Sequence, residues 1–479
     1  MKRFFVCAAV FAVFALCFAV RAFAAPAVTV VDIGIAPEDY EALIADEEKQ
    51  TFAVQVQTDG GGYTAAQVNI RGNSSRMIGQ LSKAKRVPLE LSFESASAFP
   101  GLENTDVKLI NCFTPYRLVA EYLALELFSE CGVPTPEHTF AFVRINDVDL
   151  GLYIAVEDVN KGFVSRQYGT VSPGALYKAT MDDLKRDRYI DSEWFGHLFQ
   201  KGKASSETLS LLLAALDGGE GYGQYINADE WLRYFACVAV TGGDGSIFTE
   251  RNNFALYDNG GRFDLIPWDL SEAFSGRKTT NGIDRYYIRD DTSAPNPLFD
   301  LIMRDDALKQ QYHGYISAFA GSFFEPASLD ARYTAVVEAL APYLPRDRSV
   351  FLNTETAAQA LLSDAPDGYL SLRYTLQGLS GNLTAQLEGR EFRYFASEAL
   401  APLYATAAED LVAELESASP LYDPKLPQKI VSSYRRWQRK AAGESGLPAG
   451  RIAAGCGIVL VCAAVPAIMQ IKKKRRHKV

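Results

Sequence analysis

Histidine is scarce in this chain, with four residues in 479, and cysteine is nearly so, with seven. Four of the seven cysteines (Cys7, Cys17, Cys456 and Cys462) fall inside two apolar terminal stretches, leaving Cys112, Cys131 and Cys237 for the rest. No pair has Cys-x-x-Cys spacing, so a structural zinc site and a disulfide-dense scaffold are both excluded. One disulfide among the remaining three cysteines stays open. The sequence holds no Gly-x-Ser-x-Gly elbow and no His-Glu-x-x-His helix, which removes the commonest hydrolase chemistries. Internal repeats are absent. A hydrophobic content of 48% with 22% charged residues is globular, not disordered.

The termini carry the long apolar runs. Lys2 and Arg3 precede Phe4 to Val20, and Ala22-Phe23-Ala24 supplies a small-x-small cleavage pattern, so residues 1–24 are expected to be a secretory signal peptide. Ile452 to Ile471 is a 20-residue stretch without a charge. As a helix it spans about 30 Å, the thickness of a bilayer core. Six basic residues follow, at 472–476 and 478, and predict a cytoplasmic tail by the positive-inside rule. The expected division is a 25–400 ectodomain, a helical juxtamembrane segment and linker at 401–450, a transmembrane helix at 451–471 and a basic tail at 472–479. The expected location is a cell membrane, single-pass, with the ectodomain extracytoplasmic. Setting aside the basic residues of the termini leaves 39 basic against 58 acidic residues, a net charge of −19. Such a surface repels phosphate backbones, so nucleic acid is not an expected partner.

Strand signals fill the first half. Val28 to Ile33, Thr51 to Gln57, Tyr63 to Ile70, Val87 to Phe93, Val107 to Ile110, Thr139 to Ile145 and Gly151 to Val156 read as strands, with helices at Pro37 to Glu47 and Tyr116 to Cys131. Helices dominate afterwards, at Ser205 to Leu216, Ala228 to Val240, Pro297 to Phe319 and Leu329 to Leu344. Asn227 and Glu230 have capping-box spacing. The predicted class is α+β, two-lobed, with a sheet-rich first half and a helical second half.

Chemistry concentrates between Asp244 and Asp269. Asp244 sits in the Gly-Gly-Asp-Gly loop after the helix that carries Trp231, and Asn253 opens the strand to Tyr257. The turn Asp258-Asn259-Gly260-Gly261 reverses the chain, and the return strand reaches Pro267-Trp268-Asp269. With the turn centred between Asn259 and Gly260, Asn253 pairs with Ile266 and Asp269 lies past the same open end. An Asn and two Asp converging there suit Mg²⁺, which prefers oxygen ligands and substrate phosphates. The order Asp, Asn, hairpin, Asp is also that of the protein-kinase catalytic Asp, metal-binding Asn and metal-binding Asp. A second cluster follows a strand: Asn69-Ile-Arg71-Gly-Asn-Ser-Ser-Arg76, then Lys83, Lys85 and Arg86. It reads either as a phosphate-approaching loop with a sheet-edge lysine or as a solvated basic loop. Glu157, at the end of its strand, is a candidate partner for such a lysine.

These motifs resemble the spore-coat CotH kinase family of atypical secreted protein-kinase-like proteins. The likeness runs over roughly residues 54–400 and rests on Ile70 to Ser75, Leu89 to Phe93, Leu123 to Pro134, Phe142 to Glu157, Trp231 to Ala236, Asn253 to Tyr257 and Ile266 to Asp269. The resemblance implies a kinase-like fold, ATP and Mg²⁺ as cofactors, a catalytic Asp244, Mg²⁺ ligands at Asp269 and Asn253, and an ATP-contacting lysine within Lys83 to Arg86, with Lys85 the choice. Arg71 and Glu157 match family motifs with less defined roles. The expected activity is phosphoryl transfer to Ser or Thr of secreted or cell-surface proteins. The rival is a catalytically inactive adhesin or a module of envelope or coat assembly. Asn252 stands where many members have His, and Ser271 where many have a second Asp. Both departures bear on that choice.

Overall fold

Strict alternation sets the first strand. In β1 (Val28–Gly34), Thr29, Val31 and Ile33 are buried while their neighbours are not, the period-two pattern of a sheet with one face inward. The computed structural model describes residues 25–45, 50–72, 74–112, 115–169, 174–178, 207–241, 253–271, 273–274, 299, 301, 303–348, 361, 372–390, 429 and 432. After β1 come α1 (Pro37–Ala45), β2 (Phe52–Thr58), β3 (Tyr63–Ile70), α2 (Ser74–Leu81), β4 (Leu89–Phe93) and β5 (Asp106–Ile110). Then follow α3 (Pro115–Glu130), β6 (His138–Ile145), β7 (Val148–Glu157), α4 (Lys161–Tyr168) and β8 (Leu176–Lys178). The rest is α5 (Glu207–Gly218), α6 (Ala228–Thr241), the hairpin β9 (Phe254–Asn259) and β10 (Arg262–Pro267), then α7 (Asp306–Ala320), α8 (Pro326–Leu340) and α9 (Leu372–Leu387).

The sheet-rich first half and the α+β class are as the sequence predicts. A closed barrel is not among its predictions. The strands run β1-β2-β3-β4-β5-β7-β6, and β1 closes the ring by pairing parallel with β6, Val28 opposite Phe140 through Ile33 opposite Ile145. Val31, Val56, Val68, Leu91, Leu109 and Val143 are among the side chains that fill the interior. Closure removes both sheet edges, which would otherwise invite pairing with other chains.

One wall of the barrel is buried twice. Ala141, Val143, Tyr153 and Ala155 point to its interior cluster, while Phe140, Phe142, Leu152 and Ile154 join the cluster shared with the helices. That double burial gives β6 and β7 their nearly unbroken apolar sequence. Helix α3 packs there and is itself buried almost all round, from Leu118 to Phe128, rather than on one stripe. Gly132 ends it at φ 72°. The Gly132 N–H reaches Ser129 O at 3.0 Å and the Val133 N–H reaches Phe128 O at 3.1 Å, the paired bonds of a Schellman stop.

The helical half is fastened to this wall by a seam. Val143 faces Gly151 and Arg144 faces Asp149, so Leu150 is the extra residue of a bulge in β7. The pairing of β5 with β7 ends at Ile110 opposite Ile154, so the peptide groups of Leu152 lie beyond the ladder. Its N–H donates to Asp347 Oδ1 at 2.7 Å, and its carbonyl accepts from Arg86. Arg86 and Asp347, both fully buried, lie 3.5 Å apart. Beside them Arg346 makes two bonds to Asp149, at 2.8 and 2.6 Å.

Several local expectations change. Glu230 does not reach back to Asn227 in a capping box; it accepts from the Leu265 N–H at 3.3 Å and so ties α6 to the hairpin. Trp231 is fully buried and donates to Phe263 O at 2.6 Å, a second tie to the same strand. α2, α4 and β8 are elements the sequence reading leaves as loops. Cys112, Cys131 and Cys237 are buried free thiols, and Cys131 lies against Cys237. Among the described residues no helix is long and apolar enough to cross a membrane. The signal peptide expected at 1–24 and the transmembrane helix expected at 451–471 lie outside the described residues.

Candidate functional site

The hairpin turns on two glycines. Gly260 and Gly261 take φ values of 64° and 95°, so the pair occupies both left-handed positions of a tight turn and Asn259 stays in the strand, opposite Arg262. This corrects the expected register. Phe254 faces Pro267, and Asn253 therefore stands opposite Trp268 instead of Ile266. The Trp268 N–H reaches Asn253 O at 3.4 Å, and Asn253 Nδ2 donates to Asp269 O at 3.2 Å. Asn253 and Asp269 both hold left-handed backbone, at φ 56° and 51°. Asn and Asp tolerate that conformation best, and strained residues of this kind gather at functional sites. The Asp269 carboxylate is exposed, and its Oδ1 accepts from Ser271 Oγ at 2.9 Å.

A charged floor lies next to this corner. The barrel strands β3, β4 and β5 place Asn69, Glu90 and Lys108 in one cross-strand row. Arg71 pairs with Glu90. Lys108 pairs with Asp158, and Lys178 from β8 meets the same Asp158 Oδ1 at 3.1 Å. Both ammonium groups also contact the Trp268 ring, at 5.0 and 5.8 Å from its centre. Burial and then the charge of Lys108 pull the Lys178 ammonium below its usual pKa. Burial pushes Asp158 upward, but the two lysines outweigh it and hold the carboxyl below the usual range.

Behind Asp269, α3 contributes a buried carboxyl. Glu121 accepts from Cys112 Sγ at 3.2 Å and from the Leu270 N–H. Burial, with the negative charge of Asp269 added, raises Glu121 to about 8. Among the described residues, three buried polar atoms of this corner have no hydrogen-bond partner: Asn69 Oδ1, Glu90 Oε2 and Trp268 Nε1. Leaving such atoms unpaired costs about 1–3 kcal/mol each, and functional sites are where that cost recurs.

The model of the family described as CotH kinase protein matches residues 68–367, from within β3 to beyond the seam. The chain belongs to the CotH kinase protein family. It is 23% identical over 280 residues to "Inner spore coat protein H" of Bacillus subtilis (strain 168), a match that covers 55% of this chain and 75% of the relative.

Not every residue singled out from the sequence joins the corner of this CotH family member. Asp269, Asn253 and Arg71 do. Asp244 lies outside the described residues. Lys85 turns its ammonium to Gln80 O in the last turn of α2, at 2.5 Å, and burial lowers its pKa. Lys83 is exposed on the loop after α2. Glu157 is buried and its partner is Arg166, not a lysine; Asn104 Nδ2 and the Glu137 N–H complete its shell at 3.1 Å each. Sequence reasoning missed Lys108, Asp158, Lys178 and Glu121. The signal for Lys108 was a charge inside an otherwise apolar strand, Val107 to Ile110. Lys178 sits in a three-residue strand with almost no periodicity to detect.

Among the described residues no group of three or more His, Cys, Asp or Glu gathers as a metal cage. Mg²⁺ does not need one, because it is commonly held by one or two protein oxygens together with phosphates and water. The exposed Asp269 carboxylate and the Asn253 amide next to it are a donor set of that kind.

Proposed function

We propose that the protein is an extracytoplasmic CotH-like kinase that transfers the terminal phosphate of ATP, with Mg²⁺, to Ser or Thr of secreted or cell-surface proteins. The reading includes a two-lobed kinase-like architecture and a C-terminal membrane tether. What carries it is the junction of Asn253 and Asp269 at the open end of the β9–β10 hairpin, inside the family match. Asp269 and Asn253 would hold Mg²⁺, whose role is to neutralise phosphate charge as it develops. Asp244 takes the family's catalytic position and would orient the acceptor hydroxyl. Glu121 fixes the loop that bears Asp269 by accepting from Leu270 N–H, so the carboxylate meets its cation already placed. The Asp269→Ala variant should lose ATP-dependent phosphorylation of proteins by about a thousandfold or more, read with labelled ATP. Activity that survives that change removes the assignment.

A second reading has its own observation. Ser271 replaces a second carboxylate and occupies one oxygen of Asp269, and the relative is described as a spore coat protein. A catalytically idle module of surface adhesion or coat assembly would share both features. MgATP distinguishes them: a chain that binds it melts at a higher temperature in its presence, and an idle one does not.

A further inference from the structure

Lys108 and Lys178 come from different sheets, one from barrel strand β5 and the other from β8, the edge of the three-stranded sheet that carries the hairpin. Both ammonium groups reach one oxygen, Asp158 Oδ1. The neighbouring carboxylates turn elsewhere: Glu90 gives one oxygen to Arg71, and Asp106 accepts from Ser92 Oγ at 2.6 Å and Asn160 Nδ2 at 2.8 Å. Among the described residues Asp158 is the carboxylate that answers both cations by direct contact, with the Trp268 ring against both. The same indole carries a buried N–H without an acceptor among the described residues. Two cations thus meet one small carboxylate against the ring of Trp268, the residue that precedes Asp269.

We infer that Lys108, Lys178 and the Trp268 indole N–H form a phosphate-binding clamp, with Asp158 as the internal anion that holds the two lysines together until an oligophosphate arrives. A tetrahedral phosphate presents several oxygens to several donors at once, which one carboxylate cannot do. Because one lysine belongs to the barrel and the other to the hairpin sheet, a bound phosphate bridges the two sheets beside Asp269. The identity of the oligophosphate as that of a nucleotide rests on the function proposed above; the clamp itself does not.

The test uses the full chain and inorganic tripolyphosphate without metal, measured by calorimetry, with citrate as a control of similar charge. Tripolyphosphate should bind, citrate at least tenfold more weakly, and the affinity should fall steeply with salt. Lys178→Met or Lys108→Met should weaken tripolyphosphate binding at least tenfold. Trp268→Phe, which keeps an aromatic ring but removes the pyrrole half of the indole with its N–H, should weaken it several-fold. Lys178→Arg keeps the charge and should retain most of the binding, which separates a lost contact from a lost fold. Equal binding by wild type and the methionine variants overturns the clamp, as does equal binding of citrate or no binding at all. MgATP binding that depends on Asp269 but not on either lysine would sink the clamp and leave the kinase reading standing. Tripolyphosphate binding through the lysines, without any protein phosphorylation, would do the reverse.

Discussion

Two clusters of buried charge hold this molecule together, and they are built on opposite plans. At the seam, Arg86 and Asp347 are sealed from water, and each is also bonded to the peptide groups of Leu152. At the corner below the hairpin, Lys108, Asp158 and Lys178 keep 13 to 30% of their side-chain surface open. Closing water out makes a charge pair hard to break and useless for exchange. Leaving water in makes it cheap to break and available to a ligand. Substitutions in the two places should therefore differ in kind as well as in size.

The seam gives the largest expected effect. Asp347→Ala strands the Arg86 guanidinium in the interior and should destabilise the chain by about 3–5 kcal/mol, read as a lower denaturant midpoint. Replacing both partners by apolar residues should recover much of that loss, because most of it is the unpaired charge. An Asp347→Ala chain as stable as wild type would mean that the seam is decoration.

Gly151 comes next. Its φ of 109° suits only glycine, and a Cβ there would meet Asp347 Oδ1 at 2.3 Å. Gly151→Ala should cost about 1–3 kcal/mol from backbone strain alone, more if the carboxylate is pushed off Leu152. Thermal unfolding of this variant alone and combined with Asp347→Ala would show non-additivity if the two act through the same bulge.

How far the sequence reaches follows the same division. Strands and helices whose pattern is local were readable: β3 and α6 fall within a residue of expectation. Barrel closure was not, because the parallel pairing of β1 with β6 joins residues more than a hundred positions apart and leaves no local mark. Asp269 and Asn253 were legible because a tight turn forces two strand ends together. Even there the Gly-Gly pair moved the register by taking both left-handed positions. Lys85 drew attention as part of a basic run, while Lys108 stood alone in an apolar strand. The isolated cation proved to be the one held at the corner, since a lone charge on a buried strand is kept only with a partner.

Within the corner, two carboxyls should part on pH. Glu121, raised to about 8 in the fold from an ordinary value of 4.5, binds its proton more tightly folded than unfolded. Its contribution is full below the ordinary value and is lost as pH rises through about 8. Asp158 is held low, so its contribution is present above the ordinary carboxylate range and is lost as pH falls below it. The metal-free chain should therefore melt at a lower temperature at pH 8.5 than at pH 6 (on the order of a few degrees), and Glu121→Gln should flatten that slope. A slope unchanged by the substitution would place the titrating group elsewhere.

The smallest effect on stability is expected at Asp158. Asp158→Asn removes the one anion shared by Lys108 and Lys178 but keeps an amide oxygen beside two ammonium groups that are partly in water, so it should cost less than Asp347→Ala, on the order of 1–2 kcal/mol. Its effect on phosphate should run the other way. With the internal carboxylate gone, two lysines face each other without compensation, and an added oligophosphate becomes the only anion able to separate their charges. The variant should gain more thermal stability from tripolyphosphate than wild type does, and that gain should shrink in high salt. A seam residue can show no such inversion, because nothing from solution can take the place of Asp347. An Asp158→Asn chain that unfolds as readily as Asp347→Ala, and is not rescued by phosphate, would show that the corner is only a second seam.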